Sequence, residues 1–420
     1  MGKPYRILIC LFCWSSISAG AAEPVGAAVE ELLALAKAQN PQLATMRYEA
    51  EAAAQRVESS SALPDPSFRM SLQDFTNKES GGTTTLVPSQ VGSTYYRVMQ
   101  PLPFWGKRGL KQQIAEAEAS SARGRTGTTW AELSAKIKSD FAQYYLVVHS
   151  HKLTQEILDL TQNLERIAKS RYATGLAPQQ DVIRAQVEQT GLRRDLVMLE
   201  TEHHHSIAKL NTALLREPFA ALAEPQRLRA LPAPAKLEFG LLAERLRAQS
   251  PQLLSVEAQV SAADKNRDLV LKNRYPDVAL GVGATQVGND IRMWELMLEF
   301  NIPLQQGSRR GQERDAESML AAARSRKEAA ASQLLGELAE YTSALQAARR
   351  LESISANSLI PQAEATLQAA YVGYQNGKVD FATLLDAQRQ ILKAKLDVLI
   401  AQAQAQTSLA QIEKLLGEEL

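Results

Sequence analysis

All five histidines of the chain lie between residues 149 and 205. Imidazole nitrogens are common ligands of zinc, copper and nickel. If this segment folds back on itself near its middle, its two ends come level and the histidines could bind a metal ion together. No Glu, Asp or Cys frame fixes a coordination geometry, so exposed polar histidines on helices are the alternative interpretation. The candidate metal ligands are His149, His151, His203, His204 and His205.

The sequence signatures of enzymes are missing from the chain. It has no glycine-rich phosphate loop, no Gly-x-Ser-x-Gly elbow and no His-Glu-x-x-His pair. Its two cysteines, Cys10 and Cys13, lie in the apolar N-terminal run, so the rest of the chain has no thiol for disulfide or nucleophile chemistry. The sequence therefore predicts no enzyme and no cofactor.

Charge and the N-terminal segment exclude further classes. The 420 residues include 47 Lys and Arg against 46 Asp and Glu, a balance that argues against a nucleic-acid partner. Residues 1–22 have the pattern of a secretory signal peptide, because Lys3 and Arg6 precede an apolar run that ends in small residues. We expect the mature chain to begin near Glu23 and to lie beyond the inner membrane.

The mature chain contains one unit twice. The segment Asn40-Pro41-Gln42-Leu43 returns as Ser250-Pro251-Gln252-Leu253, and Tyr172 returns as Tyr374. Several prolines, which regular helices do not tolerate, separate the two copies. We predict a first repeat at 23–215, a linker at 216–238 and a second repeat at 239–420.

The hydrophobic period changes at the same places in both copies. Each copy begins with a predicted helix, at 30–61 and at 239–273. Alternation with period two then predicts strands at 67–73, 278–285 and 294–302. In the last of these, apolar residues share one face and polar residues the other, a pattern that suits lipid outside and water inside.

Long coiled-coil hairpins follow the strands. Residues 107–171 contain no proline and would form a helix of about 98 Å at 1.5 Å per residue. Apolar residues with four-three spacing predict that this helix pairs with a second arm beyond Gly175. The second copy has arms at 308–374 and 380–416, and Pro361 is expected to kink the first of them.

Four strands in one chain cannot close a membrane barrel, for which eight is the usual minimum. Open strand edges are not tolerated in lipid, so closure requires several identical chains around one axis. The predicted fold class is α+β and mostly α. Each chain would add its strands to a shared β-barrel and its helical hairpins to a shared α-barrel.

Two motifs resemble the TolC family of outer-membrane efflux ducts over the whole mature chain. The first is Tyr-Ala-Thr-Gly-Leu at 172–176, followed by Asp181-Val182. The second is Tyr-Gln-Asn-Gly at 374–377, followed by Leu-Leu-Asp-Ala at 384–387. The resemblance implies a homotrimer with a twelve-stranded β-barrel, embedded in outer-membrane lipid and extending into the periplasm. It also implies two protein partners, a periplasmic adaptor (membrane fusion protein) and a resistance-nodulation-division pump in the inner membrane.

The resemblance also assigns roles to residues at the ends of the hairpins. Asp386 matches the family's constriction aspartate and would form a ring of three carboxylates around the axis. Asp181 matches a second gate residue, and since the family's arginine falls at Val379, its partner is expected to be Lys378 or Arg184. The hairpin tips that would contact the adaptor are represented by Tyr172, Gly175, Leu176, Tyr374 and Gly377.

A third segment, residues 100–108, resembles the heavy-metal branch of the same family, the cobalt-zinc-cadmium type. Its alternative interpretation is a strand-to-helix elbow with aromatic side chains at the membrane interface. The predicted interface aromatics are Phe104, Trp105, Trp294 and Phe300.

The predicted function is therefore a passive export duct of a tripartite efflux system, with divalent heavy-metal cations as its cargo. One alternative is a duct for organic drugs or secreted protein. Another is a periplasmic coiled-coil scaffold or adaptor that spans no membrane.

Overall fold

The computed structural model of the chain describes residues 25–78 and 81–420. The predicted signal peptide at 1–22 lies outside the described residues. The first copy contains two helices, two strands and a helical hairpin, in this order: α1 (Val29–Gln39), α2 (Pro41–Ser61), β1 (Ser67–Gln73), β2 (Ser93–Leu102), α3 (Lys107–Ala173) and α4 (Gln179–Ala213).

The second copy repeats this order, except that the first arm of its hairpin is divided. Its elements are α5 (Phe239–Gln249), α6 (Pro251–Lys272), β3 (Val278–Val287), β4 (Asp290–Phe300), α7 (Gln306–Ile354), a π-helical turn (Ser355–Leu359), α8 (Ile360–Gln375) and α9 (Phe381–Leu416). Between the copies, residues 216–238 contain a short 3₁₀ helix at Pro234–Leu237.

The predicted single helices at 30–61 and 239–273 are wrong, because each is broken before a proline. Pro41 and Pro251 occupy the first position of α2 and α6, where a missing N–H is tolerated but a preceding helical turn is not. At the first break the Asn40 side chain accepts hydrogen bonds from the backbone N–H groups of Gln42, at 2.9 Å, and Leu43, at 3.2 Å. It thereby caps α2.

The four strands form one antiparallel sheet in the order β1-β2-β3-β4. The strand predicted at 67–73 is confirmed residue for residue. The loop between β3 and β4 is shorter than predicted. β3 continues to Val287 and β4 already begins at Asp290, so a tight turn connects them. Gly288 makes this turn possible with a φ of 61°, a left-handed conformation that suits glycine.

The register gives the sheet two different faces. Phe68, Val98, Val282 and Leu296 lie opposite one another in a single row across the four strands. All four are exposed, with fractions between 47% for Val98 and 79% for Leu296. The opposite face carries charged residues together with methionines, and on β3 its residues Gly281, Gly283 and Thr285 are buried. The sheet therefore presents a wide apolar surface that no described part of this chain covers.

The helical hairpins are long and pack against each other along their length. At 67 residues, α3 extends about 100 Å. Near the end of the hairpins, Leu164 and Val182 of the first copy share an apolar core with Phe381 and Leu384 of the second. None of the helices in the ranges 25–78 and 81–420 has an apolar stretch long enough to cross a membrane.

Just before Pro361, where a kink was predicted, the helix contains a π-helical turn. This turn, at Ser355–Leu359, ends two residues before the proline, which lies in the first turn of α8. A proline removes one backbone N–H and its ring collides with the carbonyl four residues earlier. A wider π turn accommodates both effects without ending the helix.

A network of buried charges joins the two copies and the linker between them. Lys138 of α3 donates to Glu413 of α9 at 2.9 Å and to Glu419 at 2.8 Å. From the linker, Arg229 donates to the other carboxylate oxygen of Glu413 at 2.7 Å. Lys138 and Glu413 are both almost completely buried, so each needs the other's charge.

We expect Glu413→Ala to reduce the free energy of unfolding by about 3 kcal/mol, because it leaves Lys138 buried with Glu419 as its remaining carboxylate. A guanidinium titration of the purified protein in detergent measures this change. The matched control is Lys152→Ala, which breaks an exposed ion pair with Glu224 and should cost less than about 1 kcal/mol. Equal losses for the two variants would contradict a special role for the buried network.

Candidate functional site

The ends of the two helical hairpins adopt the same turn. In the first copy the N–H of Gly175 donates to the carbonyl of Tyr172 at 3.0 Å, and in the second the N–H of Gly377 donates to Tyr374 at 3.0 Å. Both glycines have left-handed backbones, with φ of 72° and 69°. Leu176, directly after the first glycine, is 66% exposed.

The two tyrosines of these turns have different surroundings. Tyr172 is 48% exposed, whereas Tyr374 is only 4% exposed. The hydroxyl of Tyr374 donates a hydrogen bond to the Asp181 carboxylate at 3.2 Å. This bond joins α8 of the second copy to the start of α4 in the first. The structure thus gives Asp181 a tyrosine partner in place of Lys378 or Arg184.

Tyr374 is held from three sides. The guanidinium of Arg171 lies 5.2 Å from the centre of its ring, within cation–π distance, and the ring of Phe381 lies 5.1 Å away. Arg171 also donates to the backbone carbonyl of Gln375 at 2.7 Å. Burial and the charge of Asp181 raise the pKa of Tyr374 to about 12, so its hydroxyl keeps the proton that it donates.

Asp386 lies on an exposed helix face one turn before Arg389. The Arg389 guanidinium is 3.5 Å from the Asp386 carboxylate, and its Nε donates to Glu188 of α4 at 3.0 Å. Asp386 is therefore linked through an arginine to the first copy. Lys378 is exposed, and among the described residues it lies within ion-pair distance of no carboxylate.

Sequence reasoning missed Glu165, which also connects the two arms of the first hairpin. Its carboxylate accepts hydrogen bonds from Gln189 at 2.7 Å and from Gln186 at 2.9 Å, and an ion pair from Lys169 at 2.8 Å. These contacts lower the pKa of Glu165 to about 2, with the bond from Lys169 as the largest cause. The four-residue spacing between Glu165 and Lys169 could have indicated their ion pair from the sequence alone.

The five histidines lie on the two arms of the first hairpin, two on α3 and three on α4. The rings of His203 and His204 lie 5.9 Å apart, and His203 also lies 5.5 Å from Tyr144 on the facing arm. Burial, reinforced by His204, lowers the pKa of His203. His149 stacks on Tyr145. The described residues contain no group of three or more His, Cys, Asp or Glu side chains that could hold a metal ion.

The aromatic residues of the 100–108 segment form an elbow between β2 and α3. Phe104 stacks on Tyr275 with ring centres 4.6 Å apart, while Trp105 is 88% exposed. Buried Lys107 donates to Asp277 at 2.8 Å, and the N–H of Phe104 donates to the same carboxylate oxygen at 2.7 Å. Trp294 and Phe300 lie on the exposed apolar face of the sheet.

Comparison with known proteins matches both copies of the chain to one family. The family model described as "Outer membrane efflux protein" matches residues 32–214 and 242–418. The pyoverdine export outer membrane protein OpmQ of Pseudomonas aeruginosa is 24% identical over 190 residues. That match covers 44% of this chain and 39% of OpmQ, so the aligned stretch spans well under half of that relative.

Solved structures share the fold over nearly the whole chain. The channel-forming protein CusC has a TM-score of 0.78 and 18% sequence identity, covering 94% of this chain and 93% of that one. The outer membrane protein VceC of Vibrio cholerae has a TM-score of 0.77 and 18% identity, covering 93% of this chain and 96% of its own. At these identities the likeness concerns the fold. Together with the family match it shows that the chain belongs to the outer membrane efflux protein family and is an outer-membrane protein.

Proposed function

We propose that three copies of the chain form a passive export duct through the outer membrane. The observation that carries the proposal is the sheet, whose apolar face is exposed on all four strands and whose edge strands β1 and β4 have no further partner in the described chain. Backbone groups at an open edge are costly in lipid, where water cannot satisfy them. Pairing β4 of one copy with β1 of the next would remove every edge.

The same arrangement would continue into the periplasm. The α3 helix, about 100 Å long, leads away from the sheet, and so does the hairpin of the second copy. Side by side around one axis, these hairpins would form the walls of a second tube. Its narrow end would lie at the hairpin turns, where the bond between Tyr374 and Asp181 joins the two repeats of each chain.

These hairpin turns are the proposed gate. Asp386 of each copy would face the axis, and the three carboxylates together would attract cations and repel anions. The bond from Tyr374 to Asp181 would keep the second hairpin against the first and hold the gate closed. Lys378, exposed beside the second turn, would be available to an entering carboxylate or to a neighbouring copy.

A passive duct takes its energy from its partners. The proposed partners are a resistance-nodulation-division pump in the inner membrane and a periplasmic adaptor that contacts the turns at Gly175 and Gly377. The exposed side chains of Tyr172 and Leu176 support this assignment, because they offer an apolar surface at the end of the hairpin.

The residues behind the heavy-metal prediction have structural roles. The heavy-metal prediction depends on residues 100–108, but packing of Phe104 and the ion pair of Lys107 account for this segment as an elbow. The histidines supply no three-ligand group among the described residues. OpmQ, a pyoverdine export protein, instead supports an organic cargo. Divalent metal cations stay a prediction, which is tested by comparing metals with organic toxicants in a deletion strain.

We expect Tyr374→Phe to open the gate. The variant removes the hydrogen bond to Asp181, and a bond to a charged group contributes about 1.5–3 kcal/mol, enough to change the open population roughly 10- to 100-fold. The open probability of single channels in planar bilayers measures the effect. The matched control is Tyr172→Phe, because the equivalent tyrosine of the first repeat is exposed. A Tyr374→Phe channel with the wild-type open probability would remove this bond from the gate.

We expect a deletion strain to become sensitive to organic toxicants, and the wild-type gene to restore growth. The double variant Leu296→Asp and Leu298→Asp should fail to restore it, because charged groups on the apolar sheet face oppose insertion into lipid. Glu299→Gln, on the opposite face, is the control. Zinc, cobalt and cadmium are tested in parallel. Sensitivity to these metals alone would establish a metal cargo, and full activity of the double aspartate variant would contradict the barrel.

A further inference from the structure

One level of the polar sheet face carries a row of charged residues. The register places Arg69 of β1 directly opposite Arg97 of β2, Arg97 opposite Gly283 of β3, and Gly283 opposite Glu295 of β4. These residues are the immediate neighbours of the apolar row through Val282. Since side chains alternate along a strand, all of them point to the other face. The sequence alone could not align them, because the register between β2 and β3 joins residues far apart in the chain.

The charges of this row have no partner within the described part of their own chain. Within the described ranges, Arg69, Arg97 and Glu295 take part in no ion pair and no side-chain hydrogen bond. Two like charges directly opposite each other on neighbouring strands are unfavourable. An arginine pair that lacks a carboxylate partner in its own chain is therefore a feature that packing does not explain.

Glycines in β3 let side chains of the neighbouring strands lie across the centre of the row. A Cβ at Gly283 would lie 3.3 Å from the Met297 side chain and 3.6 Å from a carboxylate oxygen of Glu295. Gly281, the next residue on the same face, would place its Cβ against the sulfur of Met99. The side chains of Met99 and Met297 therefore lie over the glycines of β3, between Arg97 on one side and Glu295 on the other.

We propose that this row is a charge filter in the lumen of the duct that favours organic anions bearing carboxylate groups over divalent cations. The inference rests on the proposed function, because the polar face becomes a lumen only when copies of the chain close the barrel. Each copy contributes two arginines and one glutamate to this level, so the level is positive overall. Arginine binds carboxylates through two parallel hydrogen bonds, and a ring of positive charge lowers the local concentration of cations.

The filter and the proposed gate lie at opposite ends of the molecule and have opposite signs. Asp386 is at the hairpin turns, whereas Arg69 and Arg97 are in the sheet. Glu299 is also on the polar face, but it pairs with Ala279, four residues from the arginine row and about 13 Å along the strand. The arginine row is therefore a separate level of the lumen, and its contribution can be measured with the gate residues intact.

The test is the reversal potential of the full-length channel in planar bilayers under a potassium chloride gradient, with citrate as an organic-anion probe of block. We expect Arg69→Gln with Arg97→Gln to lower the chloride-to-potassium permeability ratio at least threefold and to weaken block by citrate. Arg69→Lys with Arg97→Lys should keep the wild-type ratio, since lysine retains the charge. Glu295→Gln should move the ratio in the opposite direction.

The control is Arg292→Gln, which removes a positive charge from the bulged part of β4 outside the row. If this variant shifts the permeability ratio as much as the double glutamine variant, the filter is overturned. An unchanged ratio in double-variant channels of wild-type conductance overturns it as well. If wild-type protein forms no channels at all, the proposed duct fails. If the double glutamine variant does not assemble, the single variant Arg97→Gln replaces it in the same measurement of the permeability ratio.

Discussion

The unpaired edges of β1 and β4 are the constraint on which the rest of the structure depends. A four-stranded sheet with one apolar face has no stable place in lipid by itself, because its edge N–H and C=O groups would remain unsatisfied. In the proposed duct, each edge pairs with a strand of another copy of the chain. Once the sheets join, the long hairpins attached to their strands must also lie side by side. The short strands thus dictate the arrangement of helices that are much longer than they are.

Duplication of the unit has allowed its two copies to specialise. Both hairpins end in the same glycine turn, but only in the second is the tyrosine buried against the other copy. The first copy supplies Asp181 and Arg171, which hold that tyrosine, and leaves its own Tyr172 exposed. The same turn therefore makes a contact within the chain at the second hairpin and leaves an exposed surface at the first.

The sequence predicted the parts of the structure that depend on local periodicity. The α+β, mostly helical class and the outer-membrane location are confirmed, and the scaffold alternative is excluded by the family match. The pairs that span long separations were not predictable: Tyr374 with Asp181, Arg389 with Glu188, and Lys138 with Glu413. Helical periodicity identifies an apolar face but does not determine the axial rotation that decides which polar side chains meet. Likewise, alternation assigned Arg69 to the polar face, but only the strand register placed it opposite Arg97.

The buried charges at Lys138 give the hairpins a fixed point. Lys138 binds Glu413 and, through it, the linker residue Arg229, so both copies are clamped together at this level. From Lys138 to the end of α3 the helix extends about 50 Å beyond the clamp. If the hairpin tilted about this clamp, a rotation of about 5° would carry its far end about 4 Å. A small adjustment of packing at the clamp would thus become a displacement wider than a water molecule.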